Sequence, residues 1–291
     1  MSDIELNKPP PEKPRRNLKS LISLPDRPTF RTFIRLCWLD ILTQLLCTGL
    51  AFLLYKLAPP LAPKHFMVYP GMERSGVAMR YGKPYMKEYI STLVSAIVSV
   101  LVPLLVLLAV EAIRGGGFWE VNSAIMGLCS ALATTTVFQA FLKFLIGGLR
   151  PNFLDICQPS IIHGYSGIGY GNIWHTPEDV CTGSPKDIRE AQMSFPSGHS
   201  SAAFAGFGFL ALYLNAKFKI LAQAPHWKML LFVAPWLIAT LLAASKVVDY
   251  WHHWSDVIAG SIIGILMAHV AYRMVYRGVY DARVNHLPRR R

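Results

Sequence analysis

The chain has 291 residues, of which 53% are hydrophobic and only 16% charged. Soluble domains carry about a quarter charged residues, so an ordinary water-soluble fold is excluded. The apolar residues instead form runs of the roughly 20 needed to cross a bilayer. The formal net charge is +12, but the positive residues flank those runs, which argues against a nucleic-acid partner.

In chain order, residues 1–31 are rich in Pro, Lys and Arg and lack a cleavable-signal pattern; they predict a disordered basic cytosolic tail. Six runs follow: Phe33–Tyr55, Tyr89–Ile113, Asn122–Ile146, Ser200–Tyr213 with its flanks, Met229–Ala244 and Val257–Val275. They predict an all-α polytopic membrane protein with six transmembrane helices in one domain, residues 32–276. The fourth run is the weakest, being short and rich in Gly and Ala. Residues 277–291 predict a second basic cytosolic tail.

Lys8, Lys13, Arg15, Arg16, Lys19, Arg27 and Arg31 precede the first run, and Lys217, Lys219 and Lys228 follow the fourth. Arg273, Arg277, Arg283 and Arg289–Arg291 lie at or beyond the end of the sixth. With six spans these segments share one side, and the positive-inside rule makes that side the cytoplasm. Both termini are then cytosolic. The link after the first span is also basic, with Lys64, Arg74, Arg80, Lys83 and Lys87. It reads as a loop lying at an anionic lipid surface.

The longest connection, about 148–198, falls on the opposite, non-cytoplasmic side. It is rich in Gly, Pro, Ser and Asn and poorly patterned; a loop of that length usually carries function. Cys157 and Cys181 share it, where disulfides persist, and are predicted to pair. Cys37, Cys47 and Cys129 fall within spans as reduced packing residues.

Three polar stretches converge on that side. KFLIGGLRP (Lys143–Pro151) closes span three, FPSGHSS (Phe195–Ser201) opens span four, and DYWHHWSD (Asp249–Asp256) links spans five and six. Lys143 and Arg150, seven residues apart, would share a helix face two turns apart. They suit an anion, or else snorkel to the interface. Ser197 is a natural helix N-cap, which leaves N–H groups at Gly198 and His199 able to take a phosphate; capping alone would also account for the Ser and Gly. Asp256 lies four residues after His252 and three after His253, so either imidazole could be its partner. A metal bound by His199, His252 and Asp256 would sit beside Lys143, Arg150 and Lys246, which repel a cation. Cations, exposed N–H groups and a carboxylate-paired histidine are what phosphoryl transfer needs. The cysteinyl-phosphate loop, the D-x-D motif and the P-loop are all missing from the sequence.

Together the three stretches resemble the type 2 phosphatidic acid phosphatase superfamily, and within it the lipid phosphate phosphatase branch. The family pattern K-x6-R-P, P-S-G-H and S-R-x5-H-x3-D is matched by Lys143…Arg150-Pro151, Pro196-Ser197-Gly198-His199 and Ser245-Lys246…His252…Asp256. The resemblance covers the six-span core and neither tail. It implies a helical bundle like that of vanadium haloperoxidases and acid phosphatases. It also implies His252 as nucleophile held by Asp256, His199 as proton donor, and Lys143, Arg150, Ser197, Gly198 and Lys246 around the phosphate. Neither metal nor other cofactor is implied. The implied substrates are membrane phospholipids such as phosphatidate, lysophosphatidate and diacylglycerol pyrophosphate. A sphingoid-base phosphate phosphatase, a lipid phosphotransferase and a weakly active lipid-phosphate binder are the alternatives. Lys246 stands where the family usually has Arg and lacks the planar fork. That predicts transition-state binding weaker by about 1–2 kcal/mol, and a faster Lys246→Arg variant. Oligomeric state leaves no trace in the sequence.

Overall fold

The computed structural model describes residues 30–57, 61, 64–161, 165–223 and 225–289. The basic tail expected at 1–31 lies outside them, except for residues 30 and 31, which begin a helix. That helix, α1 (Phe30–Lys56), runs through the boundary between two compact units, Met1–Trp38 and Leu39–Arg291. The first is described only as the start of α1; the second carries the helix bundle.

Its long helices are the remainder of α1, α3 (Thr92–Arg114), α4 (Phe118–Leu145), α8 (Gly198–Phe218), α10 (Met229–Val248) and α11 (Trp254–Val275). Among the described residues, five helices are long and apolar enough to cross a membrane: α1, α3, α4, α10 with the turn before it, and α11. In hydrocarbon a helix satisfies its own backbone groups, so such runs can adopt little else. The chain is an all-α polytopic membrane protein. The outward faces stay apolar, with Leu105 60%, Leu237 63% and Leu266 57% exposed.

The fourth predicted span became α8, which packs against α3, α4, α10 and α11. Its side chains from Ser200 to Lys217 are almost all buried. A helix sheathed by others has no lipid to satisfy, so it can be small and weakly hydrophobic, which is why its run was hard to read. Small residues let its neighbours close in. A Cβ on Gly206 would collide with the Ser99 carbonyl, and one on Gly264 of α11 with the Ser201 carbonyl. Leu107, Leu128, Phe207, Phe209, Leu212 and Tyr272 fill the core.

Near the C-terminal ends of α3 and α8, Lys217 is buried against Glu111 at 2.7 Å, and Glu111 also accepts from the Tyr213 hydroxyl at 2.5 Å. Lys217 is thus an internal ion-pair residue as well as one of the basic residues flanking the spans. Residues 277–289, expected as a tail, fold back on α11: the Tyr272 hydroxyl donates to the Asn285 carbonyl at 3.0 Å, and Arg289 N–H to that of Val275 at 2.8 Å.

At the other end the long connection is folded. It contains α5 (Phe153–Cys157), β2 (Trp174–His175), α6 (Pro177–Val180) and α7 (Pro185–Ala191). The basic link after α1 contributes β1 (Phe66–Met67) and α2 (Gly76–Tyr81). β1 pairs antiparallel with β2, with Phe66 opposite His175. Val68, Met72, Phe153, Val180 and Ala191 form a second core, and Cys157 and Cys181 are joined by a disulfide with Cα atoms 4.7 Å apart. The link expected to lie on the lipid surface is half of this folded cap. Its last residues, 83–91, strap across the bundle end into α3.

Candidate active site

Lys143 lies in the last turn of α4, buried, with Nζ donating to the Met193 carbonyl at 2.6 Å. The helix stops at Leu145 because Gly147 and Gly148 adopt φ of 57° and 135°, conformations open to glycine and costly for other residues. Arg150 therefore does not share a helix face with Lys143, as the spacing suggested. Backbone pairing brings it close instead. Gly148 N–H donates to Gln192 O at 2.8 Å, Ser194 N–H to Gly148 O at 2.9 Å, and Arg150 N–H to Ala191 O at 2.9 Å. This zipper seats the first polar stretch beside the second, some fifty residues later. The Arg150 guanidinium is buried over the Trp251 ring, 4.6 Å from its centroid, and reaches Glu190 Oε1 at 3.3 Å.

Ser197 caps α8, its hydroxyl accepting from Ser200 N–H at 3.5 Å. The first N–H groups of any helix lack partners within it, so those of Gly198 and His199 begin the helix uncommitted to it. A Cβ at Gly198 would press on the Gln139 side chain, 3.2 Å from Oε1, which would have to shift by a few tenths of an ångström. Ser197 N–H donates to the Asp256 carbonyl at 3.1 Å, tying the second stretch to the third.

The third stretch turns sharply between α10 and α11. Trp251 and His252 N–H both donate to the Lys246 carbonyl at 3.0 Å, and Tyr250 takes φ of 58°, a strained conformation of the kind that gathers at functional sites. His252 is not helical; it precedes His253, the N-cap of α11, and Asp256 stands at the third helical position, accepting from His253 N–H at 3.1 Å. Asp256 Oδ2 also accepts from the Ser194 hydroxyl at 2.5 Å. His252 Nδ1 lies 3.8 Å from that oxygen, close enough for charge attraction but beyond a hydrogen bond. The helical spacing had allowed either histidine as Asp256's partner; the fold gives the backbone of one and the ring of the other. His253 Nε2 faces the Leu149 carbonyl at 3.2 Å instead.

The rings of His199 and His252 meet, with centroids 6.2 Å apart. His252 is buried, and burial pushes its pKa down to about 3; Asp256 pulls it upward, and the charges of Lys143 and Arg150 add to the depression. The ring is neutral throughout the physiological range. Lys246, fully buried, directs Nζ to the Ile90 carbonyl at 2.5 Å and lies 3.4 Å from Glu88 Oε2. It is engaged with the strap, not left bare toward the histidines. Among the described residues, no group of three or more His, Cys, Asp or Glu is placed to hold a metal ion.

Glu88, Thr92, Glu190, Ser194 and Trp251 all touch these groups and were not singled out in the sequence. Trp251 and Ser194 sit within or next to the polar stretches and could have been suspected. Glu88 lies in the basic link and Thr92 at the start of the second apolar run, with no motif to mark either. A cavity of about 400 Å³ lined by His65, Trp174, His175 and Asp179 opens in the folded cap; none of the residues above lines it.

A family model described as the PAP2 superfamily matches residues 124–280, which include all three polar stretches. Lipid phosphate phosphatase 2 of Arabidopsis thaliana is 39% identical over 166 residues, covering 56% of this chain and 54% of that protein. Diacylglycerol pyrophosphate phosphatase 1 of Saccharomyces cerevisiae is 37% identical over 163 residues, covering 55% of this chain and 54% of that protein. A putative phosphatidate phosphatase of Drosophila melanogaster is 40% identical over 144 residues, covering 46% and 36%. The chain spans about half the length of the curated relatives it matches. No solved structure matches it.

Proposed function

The chain belongs to the PAP2 superfamily, and from that premise we propose that it is an integral membrane phosphatase acting on lipid phosphate monoesters. Phosphatidate and lysophosphatidate, and the pyrophosphate of diacylglycerol pyrophosphate, are its substrates. The observation that carries the reading is the meeting of His199 and His252, ring centroids 6.2 Å apart, under the positive charge of Lys143 and Arg150. Relatives named lipid phosphate phosphatase and diacylglycerol pyrophosphate phosphatase support the substrate class. The distribution of Lys and Arg supports cytosolic termini and a site on the opposite leaflet.

Lys143, Arg150 and the N–H groups of Gly198 and His199, which begin α8 behind the Ser197 cap, neutralise the phosphate oxygens, work that a metal ion does elsewhere. Lys246, held on the strap, adds its charge to that at His199. His252, already neutral, attacks phosphorus through Nε2, because Asp256 faces Nδ1. The P–N bond forms as the bond from phosphorus to the lipid oxygen breaks, and His199 gives that oxygen a proton. Diacylglycerol leaves. Asp256 balances the positive charge of the phosphorylated ring. Water then attacks phosphorus and passes a proton to His199; the P–N bond breaks, inorganic phosphate departs, and both histidines are restored.

The test is phosphate release from defined lipid micelles in the presence of a chelator. The wild type should turn over and form an acid-labile phosphoenzyme, and His252→Ala should lose at least about 10³-fold in rate. Activity that depends on an added divalent metal, or that survives in His252→Ala, would overturn the reading. Binding of phosphatidate without any release would make the protein a lipid-phosphate binder. A panel including sphingoid-base phosphates sets the preferred lipid.

A further inference from the structure

His199 has a second neighbour besides His252. Its Nε2 lies 3.1 Å from the Thr92 hydroxyl. That hydroxyl is also 2.8 Å from Glu88 Oε1 and 3.2 Å from Oε2. A hydroxyl has one hydrogen to give, and a carboxylate beside Lys246 at 3.4 Å can only accept. Thr92 therefore donates to Glu88 and turns a lone pair to His199, so Nε2 must carry hydrogen. The cations bearing on this ring are Lys246, Lys143 and Arg150, and His252 is its neutral neighbour. A proton donor set among cations needs a negative group to sustain its protonated form, and Asp256 is committed to Ser194, His253 and His252. Glu88 reaches His199 through the Thr92 hydroxyl.

We propose that Glu88 and Thr92 are positioning residues for His199: they hold its Nε2–H, sustain the protonated ring among the surrounding cations, and leave Nδ1 to exchange the proton with the substrate. The inference rests on the phosphatase reading above. In the bond-breaking step Nδ1–H passes its proton to the lipid oxygen as the P–O bond opens, and the neutral ring keeps Nε2–H on Thr92. In the second step Nδ1 recovers a proton from the attacking water. The dyad also explains why the strap at 83–91 enters the site end of the bundle. Glu88 accepts from Thr92 N–H at 2.5 Å, so the residue that serves His199 also satisfies the first N–H of α3.

The leaving group supplies the test. Phosphatidate expels an alkoxide, which needs a proton. Diacylglycerol pyrophosphate expels phosphatidate, a stable anion that does not. Thr92→Val, which keeps the shape, and Glu88→Gln, which removes the charge, should each lower kcat/KM, which reports the steps up to departure of the leaving lipid, about tenfold or more on phosphatidate, with less than about a threefold loss on diacylglycerol pyrophosphate. Thr92→Ser should restore the wild-type ratio between the two lipids. His199→Ala is the reference and should show the same selectivity more strongly. Equal losses on both lipids in Thr92→Val would mean a structural role only, and an unchanged ratio would also overturn the inference. If His199→Ala is itself unselective, the proton-donor role and the dyad fall together while the phosphatase reading stands. If the wild type releases phosphate from neither lipid, both readings are lost.

Discussion

A buried imidazole that resists protonation leaves a measurable trace. His252 holds a pKa near 3, against 6.5 for an ordinary histidine. The unfolded chain takes up its proton as pH falls through about 6.5, while the folded chain refuses it until near 3. Stability is therefore full above the ordinary value and is lost as pH drops between the two. In detergent, thermal melting of the wild type should fall between pH 7 and pH 4 more steeply than that of His252→Gln, which cannot take up the proton; parallel curves would contradict the burial. If His252 is the nucleophile proposed above, turnover should likewise lack an acid limb near pH 6.5 from it, since its ring is neutral there already. Lys246 illustrates the opposite lesson. The family pattern alone predicts that Lys246→Arg speeds the reaction. The fold places Lys246 in a closed pocket, 0% exposed, on the Ile90 carbonyl. A larger guanidinium there should overpack it at a cost of about 1–3 kcal/mol. The expected outcome is a lower Tm with no gain in kcat. A faster variant of unchanged Tm would mean that the pocket has room.

Elements meet at this site through backbone more than through side chains. The zipper between 147–150 and 191–195 depends on Gly148, whose φ is 135°. The nearest atoms to a Cβ there are 4.0 Å away, so the cost of Gly148→Ala comes from the backbone alone. It should destabilise by about 1–3 kcal/mol and lower activity by loosening Arg150 from Ala191. Gly49→Ala, in open space on α1, should be neutral or slightly stabilising. Comparing the two melting curves and specific activities checks the claim; equal behaviour would remove the zipper from the account. The central helix α8 makes a related point. Ser197 caps it, Gly206 and Gly264 let its neighbours approach, and the hydrophobicity that membrane insertion usually requires is supplied by the helices around it.

At the scale of the whole protein, the folded cap needs its own stabilisation, because its core is small and lies outside the helix bundle. The Cys157–Cys181 disulfide closes a sequence separation of 24 residues, and a loop of that size is worth about 3 kcal/mol against the unfolded state. Reduction, or Cys157→Ser, should lower the unfolding temperature and render residues 158–180 sensitive to protease. Mass spectrometry of non-reduced peptides should find the two cysteines linked; free thiols there would end the idea. Since α5, α7 and Arg150 belong to one backbone network, activity should decline along with the cap.

Hydrophobic runs and charge placement determined that the chain is a helical membrane protein, because a bilayer admits few alternatives to long apolar helices. Three short polar stretches marked Lys143, Arg150, His199, His252 and Asp256, because ionisable groups stand out against apolar surroundings, while Ser197 and Gly198 were read from the helix start and Lys246 from the family pattern. What remained hidden depended on contacts between segments far apart in the chain. Whether His252 or His253 faces Asp256 turned on where α11 begins, not on helical periodicity. Lys143 and Arg150 adjoin through glycine turns, not a shared face. Glu88, Thr92 and Ser194 gain their meaning only where the strap and the cap close on the bundle. Local composition decides which segments enter the membrane; packing decides which polar atoms meet, and a single hydrogen-bond partner changes what a histidine can do.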